Sequence, residues 1–308
     1  MLIQVRRAMG VAARQHGVIS RSQASSAGLS AREVPRLVST GVWAPRTRDV
    51  FAVGGAPPTF EADVMAACLA GGPRAMACRG TVARLLGIGV PWFDDAGVEV
   101  ALPRGASVHA VRAIGATPRV CRTLGERDRV SIGAIPATRA TRLVIDLLDA
   151  RPTDAVFAVA DDVLYRGWAT PAGIERRWLE VNGQHRAVLD AVLLPWTPGP
   201  KPGSPKEMAL CRVLQLHGLP RPVRQFELRV PGRPPRFLDL AYPEAKVAPE
   251  YDGRRHHGAR RWAADGDRED ELAAHGWLRL PADATALSEP GATVYCERVR
   301  AALAARTP

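Results

Sequence analysis

FLDLAYPEAKVAPEYDG, residues Phe237–Gly253, reads as a strand, a tight turn and a second strand. If Glu244 and Ala245 form a two-residue loop, Pro243 pairs with Lys246 and the same register sets Asp239 opposite Glu250, with Cβ atoms about 4.5–5.5 Å apart. Two carboxylates held that way repel unless a cation or a proton lies between them, so the pair is a candidate metal site. Period-2 alternation assigns Leu238, Leu240 and the Tyr242 hydroxyl to the opposite face.

Upstream of this hairpin, Ser204-Pro205-Lys206-Glu207 opens a helix that runs to about His217. Ser204 is the N-cap, Pro205 takes the first helical position and Glu207 completes a capping box, which already gives Glu207 a structural reason. A strand over Val223 to Val230 leads through a Pro/Gly-rich turn to the Asp239 strand, and Glu250 is followed by Asp252-Gly253-Arg254-Arg255-His256-His257. Acid, acid and histidine thus gather at one end of a small sheet. The later run Asp265–Glu271 reads as the capped first turn of a helix through His275, with Asp267 at the cap.

The order helix with Glu, strand with Asp, strand with Glu resembles the PD-(D/E)XK nuclease superfamily, and DLAYPEAKVAPEYDGRRHH is similar to its very-short-patch-repair endonuclease-like branch. The resemblance covers residues 204–280 and implies a restriction-endonuclease-like α/β domain with a small mixed sheet. It implies that Asp239 and Glu250 hold Mg²⁺ or Mn²⁺, that Glu207 assists, and that His257 or His256 orients or activates the water. Oxygen donors of this kind suit Mg²⁺. Two departures stand out. Asp252 occupies the place of the superfamily's lysine, leaving Arg254, Arg255 or Lys246 to supply the cation, and Pro249 beside Glu250 implies an edge or a bulge. The RRHHGARR stretch is either a phosphate-contacting loop, with Arg254 and Arg255 on DNA, or a solvated surface.

The 308-residue chain carries a formal charge of +11, and of its 42 basic residues only Lys201, Lys206 and Lys246 are lysine. Such a field favours a polyanionic partner, and arginine suits phosphate forks and base edges. With 46% hydrophobic residues and no apolar run near the roughly 18 that span a bilayer, the sequence reads as soluble, with no membrane partner. The first residues, MLIQVRRAMG, lack the apolar core of a signal peptide. Five scattered cysteines without a CxxC pair fit a reducing cytoplasm and argue against structural zinc.

Charge is concentrated at the N-terminus, where the first 60 residues hold eight arginines against Glu33 and Asp49. A helix ends around Val11–His16, Ser22–Ala27 forms a second, and a third runs from a Ser30/Glu33 capping box to Thr40. Val34, Leu37 and Val38 face inward on it and Arg32, Arg36 and Ser39 outward. Pro35 within it deletes a backbone hydrogen bond. VWAPR and DVFAV flank a basic tip, Arg46-Thr47-Arg48. Three helices and then a hairpin is the order of a winged helix-turn-helix over 1–55, with Arg32, Arg36, Arg46 and Arg48 as DNA-docking residues.

The segment HGVISRSQASSAGLSAREVPRLVSTGVWAPRTRDVFAVGG is similar to the winged-helix domain of AbiEi-type antitoxins, and the resemblance continues through IPATRATRLVIDLL, about residues 5–165. It implies an operator-binding autorepressor, partnered with a cognate toxin, or an undefined DNA role. Residues 56–195 read as an α+β middle module, with helices over 60–70, 75–86, 140–148, 154–165 and 174–180 and strands at 98–102 and 129–135. PWTPGPKPGSP, 195–205, reads as a semi-rigid linker, 196–204, before a domain over 205–308. The whole is expected to be an α+β protein that binds double-stranded DNA and cuts it, or a non-catalytic antitoxin-like repressor. Nothing in the sequence reads deoxyribose, so RNA stays open.

Overall fold

The structure is a computed structural model that describes residues 2–89, Phe93, 97–150, 152–230, 234–252 and 270–307. It is a mixed α+β chain, divided into two compact units: Met1–Leu147 with Arg176–Asn182, and Leu148–Glu175 with Gly183–Pro308. No helix among the described residues is long and apolar enough to cross a membrane.

The first unit begins with α1 (Leu2–Ala13), β1 (Val18–Ser20), α2 (Arg21–Ser26), α3 (Glu33–Ser39), β2 (Trp43–Pro45) and β3 (Val50–Val53). The strands form an antiparallel sheet in the order β1-β3-β2, with Val18 opposite Ala52 and Trp43 opposite Val53. Ala8, Ala12, Ile19, Ala24, Leu29, Val34, Trp43 and Phe51 fill the core between helices and sheet. Ser20 caps α2 through a complete capping box with Gln23. At α3 the box is half formed: the Ser30 N–H donates to the Glu33 carboxylate at 2.7 Å, which holds that carboxyl below its ordinary range. Pro35 is the third residue of α3, where a backbone N–H has no intrahelical acceptor, so the expected lost bond does not arise.

The rest of the first unit is a five-stranded sheet, β6-β5-β4-β8-β7, built from β4 (Met76–Ala77), β5 (Glu99–Pro103), β6 (Thr117–Cys121), β7 (Arg129–Ile132) and β8 (Ile135–Thr138). Its helices are α4 (Phe60–Gly71), α5 (Arg79–Leu85), α6 (Val108–Arg112) and α7 (Ala140–Leu147). Two expectations change here. The helix anticipated over 75–86 begins as strand β4, and the strand anticipated over 129–135 is a tight hairpin. Ile132 pairs with Ile135 around Gly133, whose φ of +58° a side chain would oppose.

The second unit holds α8 (Thr153–Tyr165), α10 (Arg186–Leu193), α11 (Pro205–Leu216) and α12 (Gly291–Arg306), with α9 (Pro171–Glu180) shared between the two units. Its strands are β9 (Val223–Leu228), β10 (Arg236–Ala241), β11 (Val247–Tyr251) and β12 (Leu278–Ala282). β9 and β10 pair antiparallel, β11 and β12 parallel. Leu210, Cys211, Leu214, Leu240, Tyr242, Val247, Tyr295 and Val299 pack as its main core.

The stretch 196–204, expected to separate domains, lies inside this unit. Its own polar groups tie it down: the Trp196 indole donates to Asp161 at 2.8 Å, Arg224 donates to the Thr197 carbonyl at 2.7 Å, and the Tyr165 hydroxyl donates to the Gly203 carbonyl at 2.9 Å. Residues 56–147 fall in the same unit as the N-terminal module. Proline and glycine mark a chain without regular structure here, not a free one.

Candidate functional site

The hairpin turns as its sequence dictates. The Lys246 N–H donates to the Pro243 carbonyl at 3.1 Å, placing Glu244 and Ala245 at the centre of a β-turn, and Tyr242 and Val247 exchange backbone bonds of 2.8 and 3.2 Å. Carried along both strands, that register would set Leu240 against Pro249 and Asp239 against Glu250, but β10 and β11 form no ladder beyond the turn. Hydrogen-bonded pairs alternate in an antiparallel ladder, so Leu240/Pro249 should be the next one, and proline has no N–H to give. Accordingly the Tyr242/Val247 bridge stands isolated. Pro249 is buried in β11 and paired with Leu280 of β12, and β11 belongs to a two-stranded sheet laddered on that side alone, in keeping with the edge that a proline implies. The parallel ladder on the other side carries the strand past it.

Asp239 is half-buried, whereas Glu250 is 2% exposed. A buried carboxylate needs a partner, and Glu250 has one that the sequence reading did not single out: Arg279 Nε donates to Glu250 Oε2 at 2.7 Å. Arg279 Nη2 stands 3.8 Å from Asp252 Oδ2. Parallel pairing explains the contact. Arg279 lies beside Ala248 in the β11/β12 ladder, so it shares a face with Glu250 and Asp252, and the alanine leaves room for the guanidinium to lean along the strand. The signal available in the sequence was one arginine alone in the apolar strand LRL, a position that requires an anion nearby. Next to Glu250, burial first and then Asp283 and Asp252 raise the Tyr251 phenol.

Glu207 is buried at the third position of α11. The Ser204 hydroxyl accepts its N–H at 3.2 Å, as an N-cap should, but the Glu207 carboxylate reaches one residue further back than a capping box and accepts from the Gly203 N–H at 2.7 Å. The same Oε2 accepts from Gln225 Nε2 at 2.9 Å. Gln225 lies opposite Asp239, between the pairs Leu238/Phe226 and Leu240/Arg224, and has a left-handed φ of +48°. Leu240 and Tyr242 enter the main core, while Leu238 packs with Ala241, Ala248, Leu272 and Trp277, so the three do not share one environment as alternation suggested.

The region thus holds Glu207 bonded to Gln225, Asp239 on the strand paired with Gln225's, and Glu250 bonded to Arg279 near Asp252. Its donors are oxygens, the chemistry Mg²⁺ requires, and a Mg²⁺ site commonly rests on one or two carboxylates completed by water and phosphate. Among the described residues no group of three His, Cys, Asp or Glu is arranged to hold a metal. Arg254, Arg255, His256 and His257 lie outside the described residues, as do Asp265 to Glu269.

In the first unit the four expected docking arginines divide. Arg32 at the N-cap of α3 and Arg36 on it are exposed, and Arg48 is exposed in the β2–β3 loop. Arg46 is half-buried and donates to Asp63 of α4 at 2.6 Å, so its charge is matched within the fold. Arg21 likewise pairs with Asp49 at 2.8 Å and covers the Phe51 ring. Arg6 and Arg7 on α1 and Arg14 just past its end are exposed.

No protein-family model matches the chain. It is 28% identical over 221 residues, 68% of this chain and 74% of each relative, to the proteins called uncharacterized protein MT2308 and uncharacterized protein Rv2248 from two strains of Mycobacterium tuberculosis. Among solved structures, the RV2827C protein from Mycobacterium tuberculosis matches at a TM-score of 0.38 and 13% identity, covering 65% of this chain and 83% of that one.

Proposed function

We propose that the chain is a DNA-binding protein whose N-terminal winged helix docks on the duplex and whose C-terminal domain is a divalent-metal-dependent endonuclease. What supports the nuclease part is the β-turn at Glu244-Ala245, which brings the Asp239 strand back beside the strand of buried Glu250, with Glu207 bonded to Gln225 of the next strand. Asp239 and Glu250 would hold Mg²⁺ or Mn²⁺, which supplies Lewis acidity at a scissile phosphate. Glu207, fixed by Gly203 and Gln225, positions Gln225 beside Asp239. The docking part is supported by the order of three helices and a hairpin and by Arg32, Arg36 and Arg48 standing exposed at the N-cap of α3, on it and in the β2–β3 loop. Arginines there contact phosphates and give binding a steep salt dependence.

A second reading is favoured by the Glu250–Arg279 pair: a carboxylate already neutralised by a guanidinium suits an antitoxin-like repressor that keeps the nuclease fold without turnover, binding its own operator and a cognate toxin. Plasmid incubated with Mn²⁺ separates the two. Nicking by the native protein, lost in Asp239→Ala/Glu250→Ala, supports the enzyme; gel shifts without nicking in either protein leave the repressor. For docking, Arg48→Ala should lower the slope of log affinity against log salt by about one, while Arg46→Ala, whose charge already meets Asp63, should leave the slope unchanged. Equal slopes for both variants would remove Arg48 from the interface.

A further inference from the structure

We infer that the cleft between α1 and α2 is a second seat for duplex DNA, in which Arg7 and Arg14 hold backbone phosphates and Ser22 and Ser26 donate to them. The inference rests on the docking reading of the N-terminal module and extends it from α3 and the β2–β3 loop to the face of α1. The cleft has a volume of about 480 Å³. One wall is Arg7, Gly10, Val11 and Arg14, at spacings of three, four and seven residues that share one side of a helix. Gly10 gives Arg14 room: a methyl there would stand 3.8 Å from Arg14 Nη1, so the guanidinium lies back over Gly10, on the side of Arg7. Ser22 and Ser26, a turn apart on α2, line the other wall and are exposed.

Charge and donors suit this cleft to an anion. No carboxylate lines it, and among the described residues neither Arg7 nor Arg14 has an ion-pair partner, whereas Arg21 and Arg46 of the same module are matched by Asp49 and Asp63. Positions 7 and 14 are two helical turns apart, about 10 Å, a span over which a strand of the duplex presents more than one phosphate. Ser22 Oγ lies 2.9 Å from Ser20 Oγ, which accepts the Gln23 N–H at 3.2 Å. An anion beyond Ser22 draws these groups into one direction, Gln23 N–H to Ser20 to Ser22 to phosphate, and each link polarises the next. The Gln23 side chain is taken up by Gln15 and by the Ser20 N–H, so it forms wall and not ligand.

The cleft also joins the surface proposed for docking. Ser22 lines a neighbouring cleft with Arg21, Ser30 and Asp49, and Arg21 Nη2 donates to the Arg48 carbonyl at 2.6 Å. Among the described residues Asp49 is the one carboxylate lining either cleft, and Arg21 matches it, so a strand can pass from Arg48 to Arg14 without meeting bare negative charge.

The test is fluorescence-anisotropy titration of a labelled DNA duplex with the full chain at several salt concentrations. Arg7→Ala/Arg14→Ala should lower the slope of log affinity against log salt by about two, and each single substitution by about one. Arg6→Ala, which removes an exposed charge of α1 outside the cleft, should leave the slope unchanged. Arg7→Lys/Arg14→Lys keeps both charges and should restore the slope, and Ser22→Ala should weaken binding about tenfold at an unchanged slope. Equal slopes for Arg6→Ala and Arg14→Ala overturn the inference, because the cleft is then no different from the rest of α1. A native slope in Arg7→Ala/Arg14→Ala beside a lowered one in Arg48→Ala also overturns it and leaves the docking reading standing. Tighter binding of an RNA duplex of the same sequence overturns the assignment to DNA, and absence of binding by the native protein overturns the docking reading and the inference together.

Discussion

Two arginine–carboxylate pairs are buried in the second unit, and they are built differently. Asp161 and Arg212, both with side chains 2% exposed, meet as a two-point fork with bonds of 2.6 and 2.5 Å. Arg212 also donates to the carbonyls of Ala191 and Val192, Trp196 donates to Asp161, and the Phe157 ring lies 4.7 Å from the guanidinium. Glu250 and Arg279 meet at one point, between neighbouring strands, with a second carboxylate at 3.8 Å. The first pair is closed on every side by elements that need it to pack. The second lies on one face of the β11/β12 pair, with Asp252 near the far end of the guanidinium. Burial alone does not make two ion pairs alike; the number and direction of the surrounding donors and acceptors set how firmly each is held.

The largest expected effect comes from breaking the closed pair. Arg212→Ala strands Asp161 among helices and should cost about 3–5 kcal/mol in urea unfolding, with no recovery on adding divalent ions. Arg279→Ala should cost less, about 1.5–3 kcal/mol, and Mn²⁺ should restore part of that loss because an ion can stand in at Glu250. Restoration in both variants, or in neither, would erase the distinction drawn between the pairs.

How far the sequence discloses this contrast depends on the range of the interaction. The β-turn at Glu244-Ala245 and the Ser204 cap are local and were readable from the residues around them. Arg279 is 29 residues from Glu250, and its role follows from a parallel pairing that no hairpin signal announces. The fate of 196–204 was misread for the same reason: Trp196 reaches Asp161, 35 residues back, and composition cannot report that bond. Pro249 was read as marking an edge or a bulge, and β11 is indeed laddered on one side alone. The structure assigns that loss to one ladder only, leaving the β12 side intact.

Alkali probes the strand that carries Arg279. The Tyr295 hydroxyl donates to the Leu280 carbonyl at 2.7 Å and the Tyr242 hydroxyl to the Pro220 carbonyl at 2.9 Å, and burial raises both phenols. Burial also pushes the neighbouring Cys296 thiol from its ordinary 9.0 up to about 11. A pKa raised by folding gives stability that is complete below the unfolded value and is lost as pH rises towards the folded one. For Cys296 that window runs from 9.0 to about 11. Thermal unfolding between about pH 9 and about pH 11 should show a loss to which Cys296 contributes on the order of 1 kcal/mol per pH unit, and Cys296→Ala should make the loss shallower by that amount while the other buried thiols and phenols keep the rest.

The smallest effect tests whether one helix serves both pairs. α11 carries Glu207 at its start and Arg212 a little more than a turn later, so its N-terminus fixes the site side and its middle fixes the closed pair. Ser204→Ala removes the hydroxyl that accepts the Glu207 N–H and should cost about 1 kcal/mol. Glu207 still accepts from the Gly203 N–H, so the first turn retains one anchor and the helix should not unravel. If α11 transmits the loss to both ends, Ser204→Ala will weaken Mn²⁺ binding at Asp239 and Glu250 in step with stability, and the double variant with Arg212→Ala will deviate from additivity. If the closed pair holds the helix by itself, stability will fall by the same amount while Mn²⁺ affinity stays at its native value. That pair would then be what insulates the two carboxylates from damage at the end of the helix.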